Sequence, residues 1–381
     1  MGRKRKSTPA SQKTENKKLS MEDVAKKFAK KAKAEGAEVL DTQKKSGNID
    51  TGSYALNAII SGSLFKGIPD NKTIALCGPS NTGKSFVLAQ IIKGSQDAGF
   101  LPIVFDSERA VERDYYERIG ANTKAMVRYP VSTHMDFRNA AYNQIKEFAE
   151  NNPEVKLLVA LDSLGNLAGD KEISDTEKGK AAADMGTNAK QMNSAFRVIN
   201  SIVSKYNIPF IFTNHVYENP AAMFAGRGKM SGGSKAIYNS HIIIHFEKAQ
   251  LKEQITTEEG KVVNIKTGLY MNASTVKNRV VPEEQKASIE VRFRTGMTKF
   301  YGLLNYALGA GVFEKIDGKN GIYVPHLDKH VSEKKLYNET CFTPDVLTAI
   351  DKYVSKVNSY SSFTDEQMES IEREMLADEE E

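Results

Sequence analysis

The 381-residue sequence has no tryptophan, two cysteines and six histidines. Cys77 and Cys341 are too few for a disulfide framework or a cysteine-rich metal site, so a reducing, intracellular compartment is expected. The histidines offer no zinc site. His241 and His245 share one face of a β-like run, and His326 and His330 are similarly spaced, but neither pair has an evident third ligand, and zinc takes three or four. Long apolar runs are also missing. Stretches such as Ile242–Ile244 fall far short of the roughly 20 residues needed to cross a bilayer. No apolar segment near the start has the form of a secretory signal. After Met1-Gly2, Lys6 stands where a myristoylation site needs Ser or Thr. A cytoplasmic protein without membrane contact is the expectation.

What is present fits a folded chain of two or three domains, with 40% hydrophobic and 27% charged residues. The mild net charge of +5 hides an asymmetry. Residues 1–36 carry 12 Lys and Arg against four acids, a net +8, whereas residues 365–381 carry nine acids and one Arg, a net −8. The first 18 residues are too polar to bury a core. From Ser20 the pattern changes. Ser20 with Asp23 fits a capping box, and Val24, Phe28 and Ala32 then fall on one helix face. That helix reads either as a solubilising surface helix or as a subunit-docking helix beside a basic arm that attracts nucleic acid.

The strongest motif is Gly78-Pro79-Ser80-Asn81-Thr82-Gly83-Lys84-Ser85, which matches G-x-x-x-x-G-K-[ST]. A β-type run, Thr73–Cys77, precedes it, and helical spacing over Ser85–Lys93 follows. Glycines let the backbone N–H groups turn inward around phosphate oxygens, and the helix N-terminus adds partial positive charge. Lys84 can reach the β- and γ-phosphates of ATP, and the Ser85 hydroxyl can ligate Mg²⁺. Leu157–Leu161 reads as a buried central strand that ends at Asp162, a candidate second metal ligand. Ile103–Phe105 reads as another strand, followed by Glu108, either a base for hydrolysis or a solvated loop acid. Pro209–Thr213 is a third, with Asn214 and His215 at its tip, where a γ-phosphate could be sensed.

Two stretches read as loops rather than core. Gly169–Ala183 is polar and charged, and Tyr217–Ser234 contains Gly226, Gly228, Gly232 and Gly233 with Arg227 and Lys229. Loops of that length inside a domain are functional or else flexible linkers.

In this order the motifs resemble one family, the RecA-type recombinases, and within it the recombinases of large tailed phages. Ile103-Val-Phe-Asp-Ser-Glu108, Asp162-Ser-Leu-Gly-Asn-Leu-Ala168, Phe212-Thr-Asn214-His215, Val276-Lys277-Asn-Arg279 and Phe300-Tyr-Gly302 all carry the likeness, which spans roughly residues 45–315. The fold implied is a RecA-like P-loop ATPase core, an α/β architecture with a mostly parallel twisted sheet and helices on both faces, plus a short N-terminal helix and a small C-terminal helical region. The organisation expected is a disordered basic arm over 1–18, a docking helix and linker over 19–45, the core over 46–311, the C-terminal region over 312–364 and an acidic tail over 365–381.

The resemblance also implies roles. Glu108 becomes the catalytic glutamate, and Tyr115, with Tyr116 beside it, the aromatic that stacks on adenine. His215 reports the γ-phosphate to the second loop. Lys277 and Arg279, which alone would read as a solvated strand pair, reach across a filament interface to the neighbour's nucleotide. The two loops face DNA. Lys190 and Arg197 on the following helix, with Arg227, Lys229, Ser231, Gly232, Gly233 and Ser234, hold its backbone. Tyr217 stands where bacterial relatives carry Arg, so that contact is lost or replaced by stacking.

The activity implied is DNA-dependent ATP hydrolysis coupled to strand exchange between single-stranded DNA and a homologous duplex, in a helical filament of this chain. A single-strand-binding protein and a loading mediator are the further partners implied. The acidic tail would compete with DNA for the same basic surface. Alternatives are a hexameric helicase of the same fold, a regulatory ATP-binding assembly protein and a DNA-coating protein with an inert pocket.

Overall fold

Short β-type runs set between helical segments form one main sheet with Thr73–Gly78 near its middle. The computed structural model describes residues 20–32, 48–179, 185–217, 229–230, 239–256 and 262–359. The basic arm, the acidic tail, Arg227 and Ser231–Ser234 lie outside them. The chain divides into two units, residues 1–46 and 47–381. In the first, α1 (Met21–Lys31) begins at Ser20, whose hydroxyl accepts the Asp23 N–H, and its Val24 and Phe28 are exposed.

In the second unit, the short pair β1 (Asn48–Ile49) and β2 (Ile68–Pro69) brackets α2 (Tyr54–Ser61). The main sheet comprises β3 (Thr73–Gly78), β4 (Phe100–Asp106), β5 (Val127–Pro130), β6 (Lys156–Asp162), β7 (Phe210–Tyr217), β8 (Lys229–Met230), β9 (Ile242–Thr256), β10 (Val262–Asn278), β11 (Lys286–Arg292) and β12 (Gly296–Met297). Its order is β12-β11-β10-β9-β3-β7-β6-β4-β5, with β8 paired on β7. From β5 across to β9 neighbouring strands are parallel, and β9 to β12 continue as an antiparallel meander. The mostly parallel α/β sheet is the architecture expected.

Alternation along the central strands explains why two cores form. Ile74 and Leu76 of β3, with Leu158 and Ala160 of β6, enter one cluster together with α3 (Lys84–Asp97). Ala75 and Cys77, with Leu157, Val159 and Leu161, enter the other. Helices cover both faces, among them α4 (Arg113–Ile119), then α5 (His134–Ala140) running through a π-turn into α6 (Lys146–Asn151). At the opening end of β3, His241 Nδ1 accepts the Thr73 N–H at 3.0 Å, and burial, with Lys72, Arg279 and Lys277 near, holds the imidazole down at about 4.

Two sequence expectations need correcting. Gly169–Ala183 is not irregular throughout, because it contains α7 (Asp170–Glu177). Asp170 and Glu172 suit the positive start of a helix, and the Glu172 carboxylate accepts the Gly169 N–H. After it, α8 (Met185–Tyr206) holds Lys190 and Arg197 on an exposed face, opposite buried Met192, Phe196 and Ile199. The third parallel strand is also longer than expected, so Asn214 and His215 lie within β7 rather than beyond it.

Residues 312–359 contain a hairpin, Ile322–Val324 with Lys329–Val331, as well as the helix Pro344–Val357. They share the first core. Phe342 is 1% exposed and stacks on Phe300, with ring centres 5.7 Å apart, and Asp351 Oδ1 accepts from Leu64 N at 2.6 Å and Ser63 Oγ at 2.7 Å. Phe342→Ala should therefore destabilise residues 48–359 as one body, by about 3–5 kcal/mol with a single transition retained in urea denaturation. Two separate transitions would show that the C-terminal segment folds independently.

Candidate nucleotide-binding site

The P-loop and the polar ends of β4, β6 and β7 gather at the carboxyl end of the parallel strands. Gly78 at the end of β3 lies level with His215 of β7, and Asp106 of β4 with Asp162 of β6. The P-loop follows β3 directly. Gly83 closes it with φ 91° as the residue before α3, a left-handed conformation that favours glycine. At Gly78 the reason for glycine is approach: a Cβ there would lie 2.5 Å from the Phe246 carbonyl oxygen of β9.

The loop borders a cleft of about 740 Å³ whose lining includes Ser80 to Ser85, Glu108, Tyr115, Asp162, Thr213 and His215. Lys84 is 5% exposed, and its ammonium donates to the carbonyls of Gly78 at 3.0 Å and Pro79 at 2.8 Å. Burial lowers its pKa most, and repulsion from Lys248 adds to this, while Cys77, Asp162 and Glu108 pull the other way. Asp162 is 6% exposed and accepts from the Thr213 and Ser85 hydroxyls. Burial, reinforced by the nearby Glu108 and Asp106, still leaves its pKa raised.

Glu108 is held by three elements. The tips of β4 and β6 are tied reciprocally, Ser107 Oγ donating to Ser163 O at 2.6 Å and Ser163 N donating to Ser107 Oγ at 2.9 Å. Ser163 Oγ then donates to Glu108 Oε1 at 2.5 Å. His215 bridges the site, with Nε2 3.3 Å from Glu108 Oε1 and Nδ1 3.3 Å from Ser80 Oγ. Asp106, fully buried, pairs with the Arg128 guanidinium at 2.6 Å and accepts the Ala110 and Val111 N–H groups. It braces the segment that carries Glu108 and does not face the cleft.

Of the two adjacent tyrosines, Tyr115 lines the cleft at 36% exposure and Tyr116 is 3% exposed in the core. Lys277 and Arg279 are not brought to this cleft. They lie at the end of β10, where Lys277 pairs with Ile243 and Ile243 with Ala75, back toward the opening end of β3. Lys190 and Arg197 are likewise absent from its lining. Sequence reasoning missed Lys248, Lys266, Leu269 and Phe293, which line the cleft from the antiparallel part of the sheet. Lys266 comes round because a bulge between Lys266 and Gly268 breaks the alternation and turns it to the side of Leu269. Its ammonium sits 5.5 Å from the centre of the Phe293 ring.

The profile of the RecA N-terminal domain family matches residues 16–298. The chain belongs to the RecA family. It is 31% identical to the recombination and repair protein of Enterobacteria phage T4 over 73% of this chain and 67% of that one. It is 27% identical to Protein RecA of Thermus aquaticus, over 79% and 84% of the two chains. The same identity to Protein RecA of Campylobacter jejuni extends over 81% and 83%. Nothing in these relatives favours a helicase.

The donor set suits a triphosphate with a hard cation. A hydroxyl, Ser85, and a carboxylate, Asp162, meet beside a loop whose lysine is satisfied only by carbonyls of its own chain. Among the described residues no cluster of three or more His, Cys, Asp or Glu could hold a metal by itself. Ser85 and Asp162 fit Mg²⁺ that keeps most of its shell from phosphates and water.

Because the folded pKa of Asp162 is raised above 3.8, stability falls as pH rises through that interval, and the ionised carboxylate lowers stability at neutral pH. Asp162→Asn should raise the unfolding free energy of the nucleotide-free protein at neutral pH. The gain should vanish as pH falls toward the ordinary carboxylate value, as followed by urea denaturation across pH.

Proposed function

We propose that this RecA-family protein is an ATP-dependent recombinase that polymerises on single-stranded DNA and pairs it with a homologous duplex. The observation that carries this reading is the convergence of Glu108, Asp162 and His215, from the ends of three different strands, on one P-loop. The helicase reading has no such support among the relatives, and the inert-coat reading has no use for a buried carboxylate beside Lys84 and Ser85.

Loop N–H groups and the start of α3 receive the phosphates of ATP. Lys84 leaves the carbonyls of Gly78 and Pro79 to meet them. Ser85 and Asp162 would hold Mg²⁺, which when bound neutralises phosphate charge. Tyr115 and Phe293 offer aromatic surface to the base. Glu108, kept in place by Ser163, takes the proton of the attacking water. His215 touches both Ser80 of the phosphate loop and Glu108, so a γ-phosphate that draws it away is felt at the base and along β7, into the Gly-rich segment.

Lys277 and Arg279, remote from their own cleft, complete the neighbour's in a filament. Lys190 and Arg197, with Arg227, Lys229, Ser231, Gly232, Gly233 and Ser234, face the DNA backbone, so binding weakens steeply with salt. The exposed stripe of α1 docks on another copy. A single-strand-binding protein and a mediator are the partners, and the cytoplasm the compartment.

Mixing two inactive variants tests the shared site. Lys84→Ala and Lys277→Ala alone should each lose the DNA-stimulated ATPase, by about 10³-fold or more for the trans residue. Mixed filaments should regain activity, because a Lys84→Ala subunit still lends its Lys277. No recovery, or closed rings instead of DNA-length filaments by electron microscopy, would refute the reading.

A further inference from the structure

The back of the phosphate loop rests on β9 and β10. Phe246 O of β9 lies 2.5 Å from the place of a Cβ on Gly78, and Met271 Sδ of β10 lies 2.8 Å from the place of a Cβ on Gly83. Between these contacts is Lys248, paired with Met271 across the β9–β10 ladder. Its ammonium donates to Asn81 O at 2.9 Å and to Ser80 O at 3.4 Å. Four successive carbonyls of the loop are thus divided between two cations, Gly78 and Pro79 to Lys84, Ser80 and Asn81 to Lys248.

The division matters because a phosphate nest needs its N–H groups turned inward and its carbonyls turned away. When Lys84 departs to a phosphate, Gly78 O loses that ammonium and Pro79 O keeps only the Thr82 hydroxyl, which donates to it at 2.9 Å. The other two carbonyls keep their ammonium, since Lys248 comes from a separate strand. We propose that Lys248 is a positioning residue, an ammonium clamp that holds the phosphate loop open from its β9 side and ties its geometry to that strand. The proposal rests on the cleft being the ATP site. Lys248 is exposed, so replacing it removes the clamp without opening the core.

Lys248→Met keeps the aliphatic stem and loses the charge, and Lys248→Arg restores a cation. For both, and for Lys84→Ala, the Kd of a fluorescent ATP analogue and the KM and kcat of hydrolysis are measured with saturating single-stranded DNA. Thermal midpoints establish that each variant is folded. Expected for Lys248→Met is a rise of about tenfold in Kd and KM, the loss of a charged hydrogen-bond donor, with kcat within about twofold. Lys248→Arg should recover most of the affinity. An unchanged Kd and KM in Lys248→Met, a fall confined to kcat, or failure of Arg to rescue overturns the clamp. If Lys84→Ala also binds the analogue like the unaltered protein, the ATP-site reading itself fails. If Lys84→Ala loses binding while Lys248→Met does not, the clamp alone fails.

Discussion

The phosphate loop depends on what is missing from it. No side chain stands between Gly78 and the carbonyl of Phe246, or between Gly83 and Met271, and β9 with β10 beyond it presses into both spaces. Within the loop, the Thr82 hydroxyl and the Lys84 ammonium hold carbonyls of Gly78 and Pro79. Its shape comes also from contact with β9 and β10 behind it and from the start of α3 beyond it. The placing of β9 directly beside β3 is therefore a condition of the site and not only of the sheet.

Burial gives two neighbouring carboxylates opposite tasks. Asp106 and Asp162 end adjacent strands in register and both are shielded from water. Arg128 and two backbone N–H groups satisfy Asp106, which becomes a brace for the segment carrying Glu108. Asp162 receives hydroxyls, from Thr213 and Ser85, which do not offset its burial and the nearby Glu108 and Asp106, so its proton affinity rises. A buried carboxylate with no hydrogen-bonded cation is where a bound cation gains most. Stability is given up at Asp162 so that charge is available where a metal would sit.

The sheet's two halves divide the labour. The parallel half supplies Asp162, Glu108 and His215, each at a strand end, where side chains from separate β–α units meet. The antiparallel half supplies Lys248, Lys266, Leu269 and Phe293, which wall the cleft from the other side. The residues expected to serve a neighbour, Lys277 and Arg279, sit toward the opposite end of that second half. One continuous sheet thus joins what a subunit does at its own nucleotide to what it presents elsewhere.

The sequence by itself determined the P-loop, the central strands and the carboxylate of Asp162 at a strand end beside that loop. Each rests on short-range rules: glycine spacing, an apolar run of strand length, an acid directly after it. Tyr115 at the cleft was legible only through resemblance, and Glu108, a candidate from its place just after a strand, could not be told from a solvated loop acid by anything local. Helix α7 was missed because its polar residues have no apolar stripe, and its start is settled by the Glu172 carboxylate meeting the Gly169 N–H. Only the tertiary structure decided that His215 spans Ser80 and Glu108, that Asp106 is a brace, that a bulge turns Lys266 into the cleft, and that Lys248 reaches the loop. These depend on register between strands far apart in the chain. Register is set by the packing of the whole sheet, and no local pattern of residues encodes it.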